Sequence, residues 1–474
     1  MRVDRATVTE DIATACNFTV APSGERRYRG SVSRRHLLGL PTTRSGRRLV
    51  ASLAGATLLL WIGGSAILPL LPSYLRHHGA SPATVGIVMA AYFAASVATQ
   101  YPAGRISDRI GRRPVVLAGF GVFALGSVGF ALGSGAPLDV LSRALQGIGA
   151  GAVTVASAAT IGTEVAPEER GGAFGALYGS QMLALAIGPL IGSLVGERSM
   201  GVLFVAAALA SVLAAVPVLA VVPAGRGTLV GPDPACYRTD SGAGTWASPE
   251  HLDELEALAG GAPGGVPHAR PGRRLELDAA FAGVLVVFGA TGLLTGAYES
   301  CWTLLMVLRH ASSFEIGLSW TLFALPFAAL SIPAGRLAGR VDERVLVLGA
   351  LGCSVVFCVV YPFVHQAVTL VVLCGFEAVG TVVGTPAAVL VLTRSVPSEA
   401  QGEAQGSVET ARTAATALAA GASGALFGVD PIVPFAAVAS VTVVAMAVVA
   451  WAWRGLEVAG VVEQSTSAPH AAAS

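Results

Sequence analysis

The chain contains no lysine; all 30 of its basic residues are Arg. Charge of either sign is scarce, at 12% of residues, where a soluble domain carries about 25%. That scarcity excludes a soluble globular protein of this length. Basic and acidic residues nearly cancel to a net charge of +1, so nothing points to a nucleic-acid partner. The six cysteines (Cys16, Cys236, Cys301, Cys353, Cys358, Cys374) are scattered without a CxxC pair. That leaves no disulfide framework, no metal site and no implied cofactor; they read as small packing residues. Neither HExxH nor GxSxG occurs, and no enzyme is expected.

What the chain has instead is apolar residues, at 53% with a mean hydropathy of +0.67. A hydrocarbon core of ~30 Å takes about 20 apolar helical residues to cross. The apolar runs are continuous rather than alternating, which favours membrane helices over a β-barrel. Twelve spans are expected: 49–71, 85–103, 114–133, 138–162, 172–195, 199–223, then 278–300, 314–334, 345–364, 366–392, 405–427 and 432–453. The fold class is an all-α integral membrane protein of two pseudo-symmetric six-helix bundles, 49–223 and 278–454. A basic tail over 1–48, a Gly/Pro/Ser-rich connector over 224–277 and a short tail over 455–474 complete the chain. Within the connector, Ser248-Pro249-Glu250 with Leu252, Leu255 and Leu258 could start a short helix. Ser33-Arg34-Arg35 has the look of a twin-Arg export signal, but Arg44, Arg47 and Arg48 intervene before the first long run.

Arg clusters before span one, after spans two and eight, and in the connector, while alternate loops hold little beyond Arg76, Arg198 and Arg309. The positive-inside rule then puts both termini and the connector in the cytoplasm of a multi-pass cell-membrane protein. The halves are also related in sequence. PAGRISDRIGRRP from Pro102 returns as PAGRLAGRVDERV from Pro333, an offset of 333 − 102 = 231. Ala80-Ser81 and Gly86 recur as Ala311-Ser312 and Gly317 at the same offset. Such duplication in an apolar chain points to a membrane transporter.

Several motifs carry chemistry. The first loop holds Gly104, Asp108, Arg109, Gly111, Arg112 and Arg113. Its glycines permit close approach and a tight turn, its Arg residues face anionic lipid, and Asp108 can pair with a neighbouring Arg or a helix N-terminus. The second copy has Gly339 in place of Asp108, so any gate contact is asymmetric. Arg143 lies inside span four with Gln146 on its face; intramembrane charge usually faces a cavity, the alternative being an Arg that snorkels to the outer interface. Gly147 and Gly151 make a GxxxG packing face. In span five, Gly188, Pro189 and Gly192 give a small-residue stripe and a kink.

Two acids stand out: Glu299 near the outer end of span seven, and Glu377 in span ten. Glu377 aligns with Gln146 at offset 231 and is followed by Thr381 and Thr385. A carboxyl group in a low-dielectric cavity can exchange a proton near neutral pH, and Glu377 is the preferred proton site. Glu409 and Arg412 are spaced to pair along span eleven. Trp61, Tyr298 and Trp302 offer aromatic surface for an apolar or cationic substrate, or interface anchors.

With Leu68-Pro69-Leu70-Leu71-Pro72, Gly104-x-x-x-Asp108-Arg109-x-Gly111-Arg112-Arg113, Arg143-x-x-Gln146-Gly147-x-Gly149 and Gly188-Pro189-x-x-Gly192 in this order, the chain resembles the major facilitator superfamily. The likeness runs from about residue 49 to 454 and is nearest to the twelve-span drug:proton antiporter branch. It implies a monomeric secondary transporter exporting a small amphipathic molecule, by proton antiport and alternating access. By the same resemblance, spans one, four, seven and ten line the cavity. A sugar or metabolite permease of the same fold, or a membrane sensor that binds without moving its ligand, is the alternative. No acid lies between Leu49 and Leu71, where some drug antiporters carry one.

Overall fold

A computed structural model describes residues 41, 43–133, 135–166, 169–196, 199–223, 278–396 and 400–454. The candidate export signal, the connector with its candidate short helix, the basic tail up to residue 40, the tail over 455–474, Cys16, Cys236 and Arg198 lie outside these, whereas Arg44, Arg47 and Arg48 of the expected basic tail already belong to the first helix. Among the described residues the chain is helical and holds no strand. Six long helices belong to the first half: α1 (Arg44–Ile67), α3 (Pro82–Ile110), α4 (Arg112–Leu132), α5 (Ala136–Glu164), α6 (Arg170–Val195) and α7 (Met200–Val221). A short α2 (Leu71–His77) follows α1. The second half has α8 (Ala279–Leu308), α9 (Ser313–Ala338), α10 (Glu343–Val360), α11 (Ala367–Thr381) with α12 (Gly384–Ser395), α13 (Gln401–Val429) and α14 (Val433–Ala452).

Eleven stretches are long and apolar enough to cross a membrane, with α11 and α12 counted as one. The twelfth, α13, is equally long but carries Glu403, Glu409 and Arg412 among small residues. The protein is a multi-pass membrane protein.

Local chemistry sets the ends. Ser81 caps α3 by accepting from the Thr84 amide at 3.1 Å, and at offset 231 Ser312 forms a capping box with Glu315. Asp278 accepts from the Phe281 amide at 2.7 Å and starts α8. Gly111 alone separates α3 from α4, at φ 99°, a left-handed conformation that favours glycine. Two expected spans are broken. Span one ends at Ile67, where Pro69 and Pro72 force a turn before α2. Span ten breaks between α11 and α12, because Pro386 cannot coexist with an unbroken carbonyl ladder at Val382, four residues back. Thr385 falls beyond that break and is exposed, so the expected stripe Glu377–Thr381–Thr385 is interrupted.

Lipid offers helices no hydrophobic reason to associate, so close packing at small residues does the work. Gly147 and Gly151 of α5 lie against the backbone of Tyr92 and Ser96 in α3. Gly188 and Gly192 of α6 lie against Ser65 and Ala66 of α1. Two further contacts join the halves. A Cβ on Gly86 of α3 would sit 2.7 Å from the Ala420 carbonyl oxygen of α13, and one on Gly317 of α9 would sit 2.5 Å from that of Pro189 in α6. Thr303 of α8 donates to the Pro69 carbonyl at 2.7 Å. All these cross-half contacts lie at the end remote from the two basic loops. There one apolar core runs through both halves, from Ile67, Val88 and Phe204 to Leu305, Ile316 and Phe435. Toward the loops, the core built on Leu53, Phe120, Val153 and Leu177 stays within the first half.

The seam gives a test. A Cβ on Gly424 would meet the Pro82 carbonyl oxygen at 2.5 Å, whereas one on Gly421 would meet Ala90 at an ordinary 3.5 Å. Gly424→Leu should therefore destabilise by about 1–3 kcal/mol, as overpacking does, and Gly421→Ala should be tolerated. Thermal midpoints of the two variants in one detergent measure the difference.

Candidate functional site: buried charges between and within the halves

Arg143 sits two turns into α5 and is only 3% exposed. A buried guanidinium must be satisfied from several sides. Its Nη1 donates to Gln146 Oε1 at 2.9 Å, and Gln146 Nε2 donates to Ser127 Oγ at 3.0 Å. Its Cζ stands 4.5 Å from the Tyr92 ring centroid, a cation–π contact. Its Nε has no partner. The close approach of Gly147 to the Tyr92 backbone brings α3 near enough for that ring to cover the charge.

Glu299 faces this group from α8. It is buried, and its Oε2 has no hydrogen-bond partner. It attracts Arg143 electrostatically across the junction of the halves, yet no N–O approach within 4.0 Å joins them. Nine further residues of α8, Ser300 to Leu308, follow it, about two and a half turns, so Glu299 lies within the helix rather than at its end.

Glu377 is placed differently. It is buried inside the second half, where Tyr298 of α8 donates to Oε1 at 2.9 Å and Tyr361, just past α10, donates to Oε2 at 2.6 Å. Trp302 packs edge-on against Tyr361 at 4.9 Å and donates to Ser319 Oγ at 2.8 Å. Tyr298 and Trp302 are therefore packing and hydrogen-bonding groups of the second half, not a free aromatic surface. Cys374, at the position equivalent to Arg143, donates instead to the Ser319 carbonyl at 3.4 Å. The duplicated halves thus keep a polar position at Gln146/Glu377 but only one arginine.

At the basic loop, Asp108 is 69% exposed and lies 3.7 Å from Arg112 Nη2, one turn on. Arg109 ends α3 and is exposed. Arg112 donates to Thr163 at the end of α5, and Arg113 donates to the Leu219 carbonyl of α7 at 2.8 Å. A Cβ on Gly104 would only touch Val155 at 3.5 Å, so of the two loop glycines it is Gly111 whose conformation demands glycine. Adding 231 to Arg112 and Thr163 gives Glu343 and Arg394, and these two form an ion pair. The same helix junction is thus fastened twice with different chemistry. Glu409 and Arg412 pair along α13, with Arg412 Nε donating at 3.0 Å.

The Major Facilitator Superfamily model matches residues 53–248 and 280–472. The chain belongs to the Major Facilitator Superfamily. Superfamily relatives include the inner membrane transport protein YajR of Escherichia coli, 36% identical over 31% of this chain and 33% of that protein. The chloramphenicol resistance protein of Pseudomonas aeruginosa is 36% identical over 29% of this chain and 33% of its own length. Multidrug resistance protein 2 of Bacillus subtilis is 28% identical over 33% and 39%. These matches span only about a third of each relative. Among solved structures, the peptide transporter POT superposes with a TM-score of 0.65 at 15% identity, covering 89% of this chain and 98% of that one. The bacterial homologue of the lysosomal transporter Spinster gives 0.64 at 13% identity, covering 85% and 96%. Both likenesses concern the fold.

Sequence reasoning missed Tyr92, Ser127 and Tyr361. A tyrosine or serine inside an apolar run carries no positional signal until its neighbours on other helices are known. Among the described residues no group of three or more His, Cys, Asp or Glu could hold a metal.

The Glu343–Arg394 pair provides a test. The Glu343 side chain is 8% exposed and that of Arg394 47%. Arg394→Leu strands a buried carboxylate and should lower the thermal midpoint markedly. Adding Glu343→Leu to it should recover part of the loss, which a double-mutant comparison in detergent reads directly.

Proposed function

We propose that the protein is a proton-coupled exporter of a small amphipathic molecule, such as a drug, antibiotic or secondary metabolite. It works by alternating access in a cell membrane, as a monomer, with both termini and the basic loops on the cytoplasmic side. The chemistry is movement rather than bond-making, so no catalytic residue is assigned. The observation that carries this reading is Glu299: a buried carboxyl with an unpartnered oxygen, set between the halves and facing Arg143. When Glu299 is ionised, it and Arg143 attract each other across the junction. When it takes a proton, that attraction is lost and one restraint between the halves goes with it. Proton uptake and the relative position of the halves are thereby linked.

The geometry supports Glu299 over Glu377 as the exchanging group. Both oxygens of Glu377 are held by tyrosine hydroxyls, which suits an anchor between α8 and α11. Its influence on coupling runs through Tyr298, the residue next to Glu299. Asp108 and the loop arginines act at the other end. Asp108 is exposed and touches the mostly buried Arg112 across the Gly111 turn at only 3.7 Å, so that contact can be exchanged for another partner when the halves close on the loop side. The packed end remote from the loops matches a state open toward the cytoplasm. The names of two relatives as resistance proteins support export over uptake.

Reconstituted into liposomes, the protein should drive chloramphenicol uphill when a pH gradient is imposed, and Glu299→Gln should remove that dependence while leaving passive exchange. Gradient-driven movement that survives the substitution would place the proton elsewhere, and movement indifferent to pH would favour the permease reading. Asp108→Asn should cut transport about tenfold or more at unchanged membrane abundance, the range typical of losing one conformational contact of 1.4 kcal/mol or above. Transport at the parental rate would remove the loop from the switching mechanism.

A further inference from the structure

Arg143 has a second carboxyl group beside it that the exporter mechanism does not use. Asp139 stands four residues earlier on α5 and is likewise only 3% exposed. Residues four apart share one helix face and lie about 6 Å apart along the axis. Long helical side chains lean toward the helix N-terminus, which for Arg143 is toward Asp139. An acid one turn N-terminal to a base is also the favourable order for an ion pair. Yet the pair is not made, since no N–O approach within 4.0 Å joins the two.

Each side chain keeps an unsatisfied atom instead. Asp139 Oδ2 accepts from the Gly135 amide at 3.2 Å, while Oδ1 has no partner. Arg143 Nη1 is drawn one turn the other way, to Gln146, and Nε has no partner. Tyr74 of α2 and His78 just past it are close enough to feel the charge of Asp139, but the His78 ring is engaged with the Tyr74 carbonyl at 2.9 Å. Tyr92 and Glu299 are the groups that feel the charge of Arg143. Buried polar atoms are normally paired. Here one orphan is an acceptor and the other a donor, one turn apart on the same face.

The two acids near Arg143 belong to different halves. Glu299 is on α8, and Asp139 is on α5 itself. Because α5 ends at the basic loop, where Thr163 meets Arg112, Asp139 lies on the side of Arg143 where the halves share a core. If the halves part there, Glu299 withdraws with the second half, and Asp139 stays one turn from the guanidinium.

We propose that Asp139 is the second partner of Arg143, a positioning residue that takes the guanidinium when the halves part at this end. The inference rests on the Glu299–Arg143 reading above and completes it. A buried cation is costly without a counter-charge. Arg143 pulls the halves together through Glu299 in one state and pairs within α5 in the other. Protonation of Glu299 releases the guanidinium to turn toward Asp139.

Labelling of a seam cysteine in lipid nanodiscs reads the position of the halves without transport. Ser193 of α6 is buried under α9, where a Cβ on Gly317 would meet it. In Ser193→Cys a maleimide reaches the new thiol only when that seam opens, and the parent protein gives the background from its own cysteines. Asp139→Asn keeps an oxygen for the Gly135 amide but not the charge. It should slow labelling about fivefold or more, the lower end of a coupling free energy between sites, and Asp139→Glu should restore the rate. Glu299→Gln should speed labelling. With Arg143→Gln already in place, Asp139→Asn should have no further effect. If Asp139→Asn does not fold, Asp139→Ser supplies the same comparison. Unchanged labelling in the folded Asp139 variant, or equal slowing in the Arg143→Gln background, would overturn the proposal. Labelling that responds as expected in a protein whose chloramphenicol movement ignores an imposed pH gradient would overturn the exporter reading instead and leave the exchange of partners standing.

Discussion

Backbone-to-backbone contact at small residues is the constraint on which the rest of the protein depends. In lipid, association must come from fit, because the surrounding chains are as apolar as the helices. Gly147 against Tyr92 and Gly192 against Ala66 bring α3 to α5 and α1 to α6. Gly86 against Ala420 and Gly317 against Pro189 then bring the two halves together. These contacts lie at one end only, so the halves share a core there, while toward the loops the first half keeps a core of its own. A seam made of glycine edges, with few hydrogen bonds across it, is also a seam that can part and re-form.

The buried charges owe their environment to that packing. Arg143 tolerates its position because the Gly147 contact places the Tyr92 ring over it and because Gln146 relays it to Ser127. Glu299 comes to face it only because α8 is drawn against the first half, where Thr303 donates to Pro69. One turn of α8 therefore serves two purposes: Glu299 looks toward the first half while Tyr298 holds Glu377 inside the second. A shift of α8 would be felt by both carboxyl groups at once.

Duplication set the frame and then diverged at the polar positions. The Ser81/Ser312 caps start equivalent helices in the same way. The junction fastened by Arg112 and Thr163 in one half is fastened by Glu343 and Arg394 in the other. Arg143 is answered by Cys374, which packs and donates weakly. Geometry repeats wherever helices must start, turn and pack, and so do the loop arginines Arg105/Arg336, Arg109/Arg340 and Arg113/Arg344, whereas the buried arginine does not.

The helices and the loop turn at Gly111 were legible in the sequence, because spanning length, caps and left-handed glycine are local requirements. The proline breaks after Ile67 and at Val382 were missed as boundaries, although Pro69, Pro72 and Pro386 were there to be read. The polar site was legible only in part: Arg143, Gln146, Glu299 and Glu377 stand out as polar residues in apolar runs. Their partners Tyr92, Ser127 and Tyr361 do not, since each lies on a different helix, and a single span gives no azimuth relative to its neighbours. By itself the sequence determined that this chain crosses a membrane as two related sets of helices with a few costly charges inside. The tertiary structure alone decided that Glu299 faces Arg143 while Glu377 is tied to two tyrosines, because which side of a helix meets which neighbour depends on packing between residues far apart in the chain.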